Sequence, residues 1–227
     1  MMKLTFLGHA AFQMESGHYT VLIDPFITGN GQTPFKEADF RKVDYILATH
    51  GHGDHIGDTV KIAGRTGATV VANAEISGWL AERGIKVHAM HIGGAYRFPF
   101  GRVKLTPAFH GSSIEEGGTR YDGGFPCGFL VTMGDVTVYH SGDTGLMLEM
   151  KLLEDEHVDV ALLPIGGNFT MDVDDAVKAV SFIKPKKVVP MHYDTFDVIK
   201  ADPAEFAARA ASLAEVKILK PGESLEV

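Results

Sequence analysis

The sequence predicts an α/β protein built as a four-layer αββα sandwich, two mixed β-sheets packed face to face and flanked by helices. Three observations predict it. Short apolar, strand-like runs alternate with helix-like segments along most of the chain, the pattern of βαβ units. A Val-Asp-hydrophobic pattern occurs twice, at Val43-Asp44-Tyr45-Ile46-Leu47 and at Val158-Asp159-Val160-Ala161-Leu162. Each copy reads as a buried strand running into a glycine-containing loop and a helix, so two similar halves can face one another. The chain has 227 residues, 45% hydrophobic and 22% charged. That length and balance suit one domain, residues 1–227, with a core large enough to need no staples.

The elements follow in order. Residues 3–7 and 20–23 are short apolar strands, separated by the turn-prone Glu15-Ser16-Gly17. Residues 44–49 form a buried strand by their continuous apolar run. A helix is expected from Asp58 to about Arg65, with Gly67 beyond its end, then a strand over 69–72 and a helix over 75–83 that stops at Gly84. Residues 103–109, 128–133 and 136–140 read as strands, with Gly134-Asp135 as the tight turn between the last two. The segment 111–124 reads as a long, polar, glycine-rich loop. Residues 158–165 and 187–191 are further buried strands. Asp172 or Asp174 caps a helix ending before Pro185, and Asp202-Pro203 opens another to about Leu213. Strands over 216–219 and 224–227 close the chain.

Composition excludes several classes of function. Lys plus Arg number 21 against 29 Asp plus Glu, a formal net charge of −8. That balance argues against an extended nucleic-acid interface. No apolar run reaches the roughly 18 residues of a membrane span. The N-terminal segment lacks a signal-peptide core, so a cytoplasmic protein is expected. Cys127 is the single cysteine, which forbids an intrachain disulfide; it reads as a small buried hydrophobe.

Chemistry concentrates in His50-Gly51-His52-Gly53-Asp54-His55, directly after the buried strand at 44–49. Imidazole nitrogens and carboxylate oxygens are ligands that Zn²⁺, Mn²⁺ and Fe²⁺ accept, and the glycines let alternate side chains converge. A loop at the end of a strand is where α/β proteins bind ligands. His110, Asp143 and His192 each lie where a strand should stop and its loop begin, and they complete a set of seven.

These residues resemble the metallo-β-lactamase superfamily of dinuclear metal hydrolases. His50, His52, Asp54 and His55 match its H-x-H-x-D-H motif, and His110, Asp143 and His192 match its later ligands in chain order. More narrowly, the chain is similar to small metal-dependent hydrolases related to the L-ascorbate-6-phosphate lactonases. That likeness rests on Gly8-His9-Ala10, Ile23-Asp24-Pro25, Ser141-Gly142-Asp143-Thr144, Pro164-Ile165-Gly166-Gly167 and Pro190-Met191-His192-Tyr193. The resemblance implies one metal site of His50, His52 and His110, a second of Asp54, His55 and His192, and Asp143 bridging them. It further implies two divalent ions, Zn or Mn first and Fe or Ni next, holding a hydroxide that attacks the substrate. Asp54 would orient that hydroxide and move its proton, and His9 would meet the substrate or leaving group.

Other candidates come from position alone. Asp24, at a strand end, can accept the distal N–H of a ligating histidine. Asn168 and Thr170, in a loop before a capped helix, are candidate substrate contacts. Arg120 reads as a solvated cation, and His140 as a structural residue at the sheet edge. The expected function is a metal-dependent hydrolase on a small, anionic substrate, a phosphodiester or a lactone. A mononuclear iron oxidoreductase similar to persulfide dioxygenases, and a non-catalytic binding relative, stay open as alternatives, as does assembly into a homo-oligomer.

Overall fold

The structure, a computed structural model, describes residues 1–227. The first sheet is built from β1 (Lys3–Gly8), β2 (Ala11–Ser16), β3 (Tyr19–Ile23), β4 (Tyr45–Leu47), β5 (Thr69–Asn73) and β6 (Val87–Met90). The second begins with β7 (Ala95–Phe98) and β8 (Gly101–Pro107). A detached hairpin, β9 (Ser113–Glu116) with β10 (Thr119–Asp122), interrupts it. It resumes with β11 (Cys127–Met133), β12 (Val136–His140), β13 (Val160–Pro164), β14 (Lys187–Met191) and β15 (Glu215–Val216), before β16 (Ser224–Glu226) returns to the free edge of β1. Each sheet has seven strands.

The two sheets share one plan. Strands β1 to β3 are antiparallel and β3 to β6 parallel; β8, β11 and β12 are antiparallel and β12 to β15 parallel. The repeated Val-Asp pattern does the same physical task in both. Asp44 accepts the Thr20 amide and Asp159 accepts the Thr137 amide, each at 2.8 Å, fastening the start of the parallel run to the neighbouring strand.

Parallel neighbours need crossovers. Helices α2 (Thr59–Thr66) and α3 (Ala74–Ala81) serve the first sheet, and α4 (Val173–Ile183) and α5 (Pro203–Ala210) the second; a single turn, α1 (Gly53–Ile56), precedes them. Strand β13 shows how the layers form, because all five of its residues are buried. Val160 and Leu162 face the other sheet with Phe12, Phe129 and Val189. Ala161 and Leu163 pack outward against Ala176, Val180 and Phe206 of the helices. Ile62, Ile76 and Leu80 cover the first sheet in the same way. The result is helix, sheet, sheet, helix, the predicted fold class. Cys127 lies in the central layer, with its amide and its Sγ both directed to the Thr49 carbonyl.

Helix starts follow the expected caps. Asp172 accepts from the Asp175 amide, and Asp202 accepts from Ala204 with Pro203 at the first helical position. Several expectations need correction, among them the helix opened at Asp202-Pro203, which ends at Ala210 and not near Leu213. Residues 111–124 are not a structureless loop: they carry the β9–β10 hairpin, whose turn is Gly117-Gly118, both at positive φ. A further strand, β2, takes in Glu15 and Ser16 of the expected turn and leaves Gly17 in it. The expected strand over 216–219 is reduced to β15, and the helix expected over 75–83 is α3, over Ala74–Ala81. His140 does not fill an edge, because β12 lies inside the sheet between β11 and β13. No helix is long and apolar enough to cross a membrane.

Candidate metal centre

Strands β3, β4, β13 and β14 are parallel members of their sheets, and their C-terminal ends meet along one edge of the sandwich. Asp24 follows β3, His50 follows β4 and His192 follows β14; Asp143 follows β12. His110 arrives three residues beyond β8. Beyond β4 the backbone passes tightly beneath the hairpin. A Cβ at Gly51 would stand 2.6 Å from Ile114 Cγ1 and 3.1 Å from the Ser113 carbonyl carbon, so only glycine fits there. The chain then winds into α1, with the His52 carbonyl accepting from the amides of His55 and Ile56. This turn buries His55 and leaves Asp54 partly exposed. His9, Asp24 and His192 all hold left-handed backbone, at φ 59°, 46° and 55°. Such conformations cost about 1–3 kcal/mol each and gather at functional sites. The His192 amide donates to the His9 carbonyl at 2.7 Å, which ties the two strained turns together.

Besides Asp24 with His50 and His55, the donor atoms fall into two groups. One holds a nitrogen from each of His50, His52 and His110; the other holds His9, Asp54, His55 and His192; within each group the atoms lie within 4.8 Å of one another. Asp143 stands between them. Its Oδ2 is 2.9 Å from His192 Nε2 and 3.6 Å from His110 Nε2, and its Oδ1 is 3.3 Å from His55 Nε2. Buried polar atoms are normally hydrogen-bonded. Here His55 Nε2, His192 Nε2 and Asp143 Oδ1 are buried and crowded together, yet none of them makes a hydrogen bond of normal geometry. A carboxylate and several imidazoles aimed at common points fit a divalent cation, which would satisfy these lone pairs at once.

A second ring of contacts fixes the donors. Asp24 is fully buried and accepts from the Thr49 amide (2.8 Å), the Thr49 hydroxyl (2.6 Å) and His55 Nδ1 (2.7 Å). Thr49 Oγ1 also lies 2.9 Å from His50 Nδ1. One carboxylate thus orients His55 directly and steadies the hydroxyl beside His50. His9 Nε2 sits 3.2 Å from Asp54 Oδ2 and His9 Nδ1 sits 2.8 Å from Thr195 Oγ1. Gln32 Oε1 accepts the His9 amide.

Burial pushes the His9 imidazole down to about 4, against the raising effect of its bond to Asp54. His9 is therefore neutral near pH 7, with its proton on Nε2, because an ionised Asp54 can only accept. Burial works to raise the Asp54 carboxyl, but the bond from His9 and the charge of His55 outweigh it and hold the group well below the usual range. Burial also lowers His50, His52 and His110, keeping them neutral as metal ligation requires. His55 runs the other way: burial lowers it, but Asp143 and Asp24 outweigh that and raise it well above normal.

The seven motif residues, His9 and Asp24 are thus brought together. Asn168 and Thr170 are not brought into contact with them. Asn168 is exposed at φ 54°, and the Thr170 hydroxyl turns to the Met171 carbonyl. Their loop reaches the centre only through the Met171 amide, which donates to Thr144 beside Asp143. Arg120 pairs with Glu115 across the hairpin and stays exposed. His140 is structural: its Nε2 meets the Ala10 carbonyl at 2.8 Å and its Nδ1 accepts the Gly142 amide. Thr49, Thr195 and Gln32 were not singled out by the sequence. Their only signal is proximity, Thr49 beside His50 and Thr195 three residues beyond His192.

Comparison with known proteins points the same way. The family described as Beta-lactamase superfamily domain matches residues 3–192. A UPF0173 metal-dependent hydrolase of Carboxydothermus hydrogenoformans is 54% identical over 98% of both chains. One from Heliobacterium modesticaldum is 50% identical over 99% of this chain and 97% of the other. Among solved structures, Igni18, a metallo hydrolase from Ignicoccus hospitalis, superposes with a TM-score of 0.91 at 40% identity, covering 99% of this chain and 97% of that one. An isothiocyanate hydrolase from Delia radicum gut bacteria shares the fold, with a TM-score of 0.77 at 18% identity over 99% and 98% of the two chains.

Proposed function

This chain belongs to the β-lactamase superfamily and is a metal-dependent hydrolase of the metallo-β-lactamase fold, and on that premise we propose that it uses two divalent cations to hydrolyse a small, anionic phosphodiester or lactone. The observation that carries the proposal is the pair of donor groups meeting at Asp143, with His55 Nε2, His192 Nε2 and Asp143 Oδ1 buried, crowded together and without a hydrogen bond of normal geometry. His50, His52 and His110 would hold one ion; Asp54, His55 and His192 would hold the other; Asp143 would serve both. Zn²⁺ or Mn²⁺ suits this set of nitrogen and carboxylate donors first, and Fe²⁺ or Ni²⁺ next. When bound, such ions acidify water and polarise the oxygen under attack.

The chain's own groups supply the rest. Asp54, with 27% of its side chain exposed, is the carboxylate placed to take a proton from the attacking water and return one to the leaving group. His9 holds Asp54 by donating from Nε2 to Oδ2, and Thr195 holds the His9 ring by its Nδ1. Because His9 is neutral, it orients the carboxylate without drawing off its charge. With Asp24 accepting from Nδ1, His55 would present Nε2 to a cation that displaces the proton there. The substrate class rests on the expected cations, since Arg120, the only cation in the nearby hairpin, is engaged by Glu115.

The test is turnover of bis-(p-nitrophenyl) phosphate and of a γ-lactone by protein stripped with chelator and reloaded with Zn²⁺ or Mn²⁺, with metal content counted in parallel. The expected result is two ions per chain, metal-dependent hydrolysis of one substrate, and a loss of about 100-fold or more in Asp54→Asn with metal retained. One ion per chain would refute the dinuclear centre. Two ions with neither substrate turned over would refute the substrate class.

A further inference from the structure

On its outer face, the antiparallel half of the second sheet is not covered by a helix. The 3₁₀ stretch Leu148–Glu156 lies over it instead. Between this stretch and strands β8 and β12 is a cavity of about 290 Å³, and none of the proposed metal ligands lines it. Its roof is Met147, Met150 and Leu153, all buried. The sheet contributes Thr106 and Tyr139, 5% and 0% exposed; their hydroxyls neighbour one another, and neither has any other hydrogen-bond partner. Glu149, exposed at the rim, forms no ion pair among the charged pairs of the protein.

Two hydroxyls with no partner beyond each other in one apolar cavity are unusual, because a buried O–H left short of partners is destabilising and is generally paired or replaced. Nothing in the fold forces a polar group here. The positions are core positions of β8 and β12, where valine and phenylalanine would fill the same shape. Burial raises the Tyr139 phenol against a weaker lowering influence from the neighbouring Thr106 hydroxyl, so it stays a neutral donor and acceptor across the working pH range.

We propose that this cavity is a second binding site, for a small neutral aromatic molecule carrying one hydroxyl, a phenol. The ring would lie under Met147 and Met150, whose thioethers adapt to an aromatic face. The ligand oxygen would pair with the Tyr139 and Thr106 hydroxyls together, donating to one and accepting from the other. The size agrees: an apolar cavity of about 150 Å³ takes up benzene, so this space admits a substituted ring. The site is built on the strands that lead to His110 and Asp143, since Thr106 and Tyr139 each stand four residues before those residues.

The test is titration of the metal-loaded protein with p-cresol and, separately, with toluene, read on the methyl resonances of Met147 and Met150. The expected result is saturable binding of p-cresol at least tenfold tighter than toluene. In Tyr139→Phe and in Thr106→Val that preference should fall to about twofold while toluene still binds, which shows that the cavity is intact. Equal affinities in the wild type overturn the proposal. So does a preference that survives both substitutions, or the failure of both molecules to shift the methionine methyls.

Discussion

Asp24 shows how much one side chain decides at this site. Its carboxylate accepts from the Thr49 amide, the Thr49 hydroxyl and His55 Nδ1 with no solvent nearby. Removing such an outer partner of a metal-binding histidine typically costs 10–100-fold in affinity. Asp24→Asn should therefore weaken cation binding by about that factor, measured by competition with a chromogenic chelator; unchanged affinity would show that His55 is oriented by other means. Thr195 acts at one further remove. Thr195→Val frees one side of the His9 ring, and kcat should fall about tenfold with metal content unchanged. A loss of metal in that variant would place His9 among the ligands instead of beside them. Asp24 was legible in the sequence because it is a carboxylate at a strand end before Pro25. Thr49 and Thr195 were not, because a hydroxyl that serves a neighbour carries no signature of its own.

At the scale of elements, the seven candidate donors were legible because four share one His/Asp-rich motif behind an apolar run and the other three each follow a run of their own, and such runs announce where a strand stops. The two elements that shape the site were harder. Gly-Asp-His-Ile has little intrinsic helix preference, so α1 exists only because the fold pins both ends of the turn. Past its end, Gly57 holds φ 43° where a Cβ would meet the Pro25 carbonyl oxygen at 2.5 Å. The β9–β10 hairpin did carry a signal, Gly117-Gly118 between strand-like residues, a pair suited to a two-residue turn. Its polarity hid it. Arg83 of the turn after α3 stacks over Trp79 at 3.7 Å, pairs with Glu116 and approaches Tyr121, so the hairpin is clamped to the first layer. At its base, Ser112 accepts from Gly51 and donates to Gly123, linking the hairpin to the metal-binding loop. Arg83→Ala should change global stability little, since its ion pair with Glu116 is open to solvent. It should instead raise amide hydrogen exchange across residues 113–122 and increase KM more than it lowers kcat. Unchanged exchange there would mean that the strand pairing alone holds the hairpin.

For the whole molecule, the two halves meet at a central layer of apolar side chains and at the candidate metal centre, which draws its donor groups from both sheets. Cations bound there would hold the halves together in the folded state only. A ligand at 100 times its dissociation constant stabilises by about 2.7 kcal/mol, and for a chain of this size each kcal/mol moves Tm by roughly 2–4 °C. Saturating Zn²⁺ should thus raise Tm by about 5–10 °C over the chelated protein, and Asp143→Ala should lose most of that gain. An equal gain in Asp143→Ala would place the stabilising ion elsewhere. The duplicated plan was visible in the sequence as the repeated Val-Asp pattern. The pairing of Asp44 with Thr20 and of Asp159 with Thr137 gives that repeat a physical content, one fastening made twice.

Cys127 gives this architecture a means of being watched. It is the only thiol, it has no exposed surface, and burial pushes its pKa up, so the reactive thiolate is suppressed while the sandwich is closed. Its amide and Sγ meet Thr49, next to His50, and a Cβ on Gly142, next to Asp143, would touch its carbonyl. Any excursion that exposes it must part β11 from both of those loops. The speed at which a thiol reagent labels the native protein therefore counts such excursions. If opening dismantles the metal centre, added Zn²⁺ should slow labelling in proportion to its occupancy. If the rate is indifferent to Zn²⁺, the seam opens with the ions still in place, and the donors stay assembled on a moving scaffold.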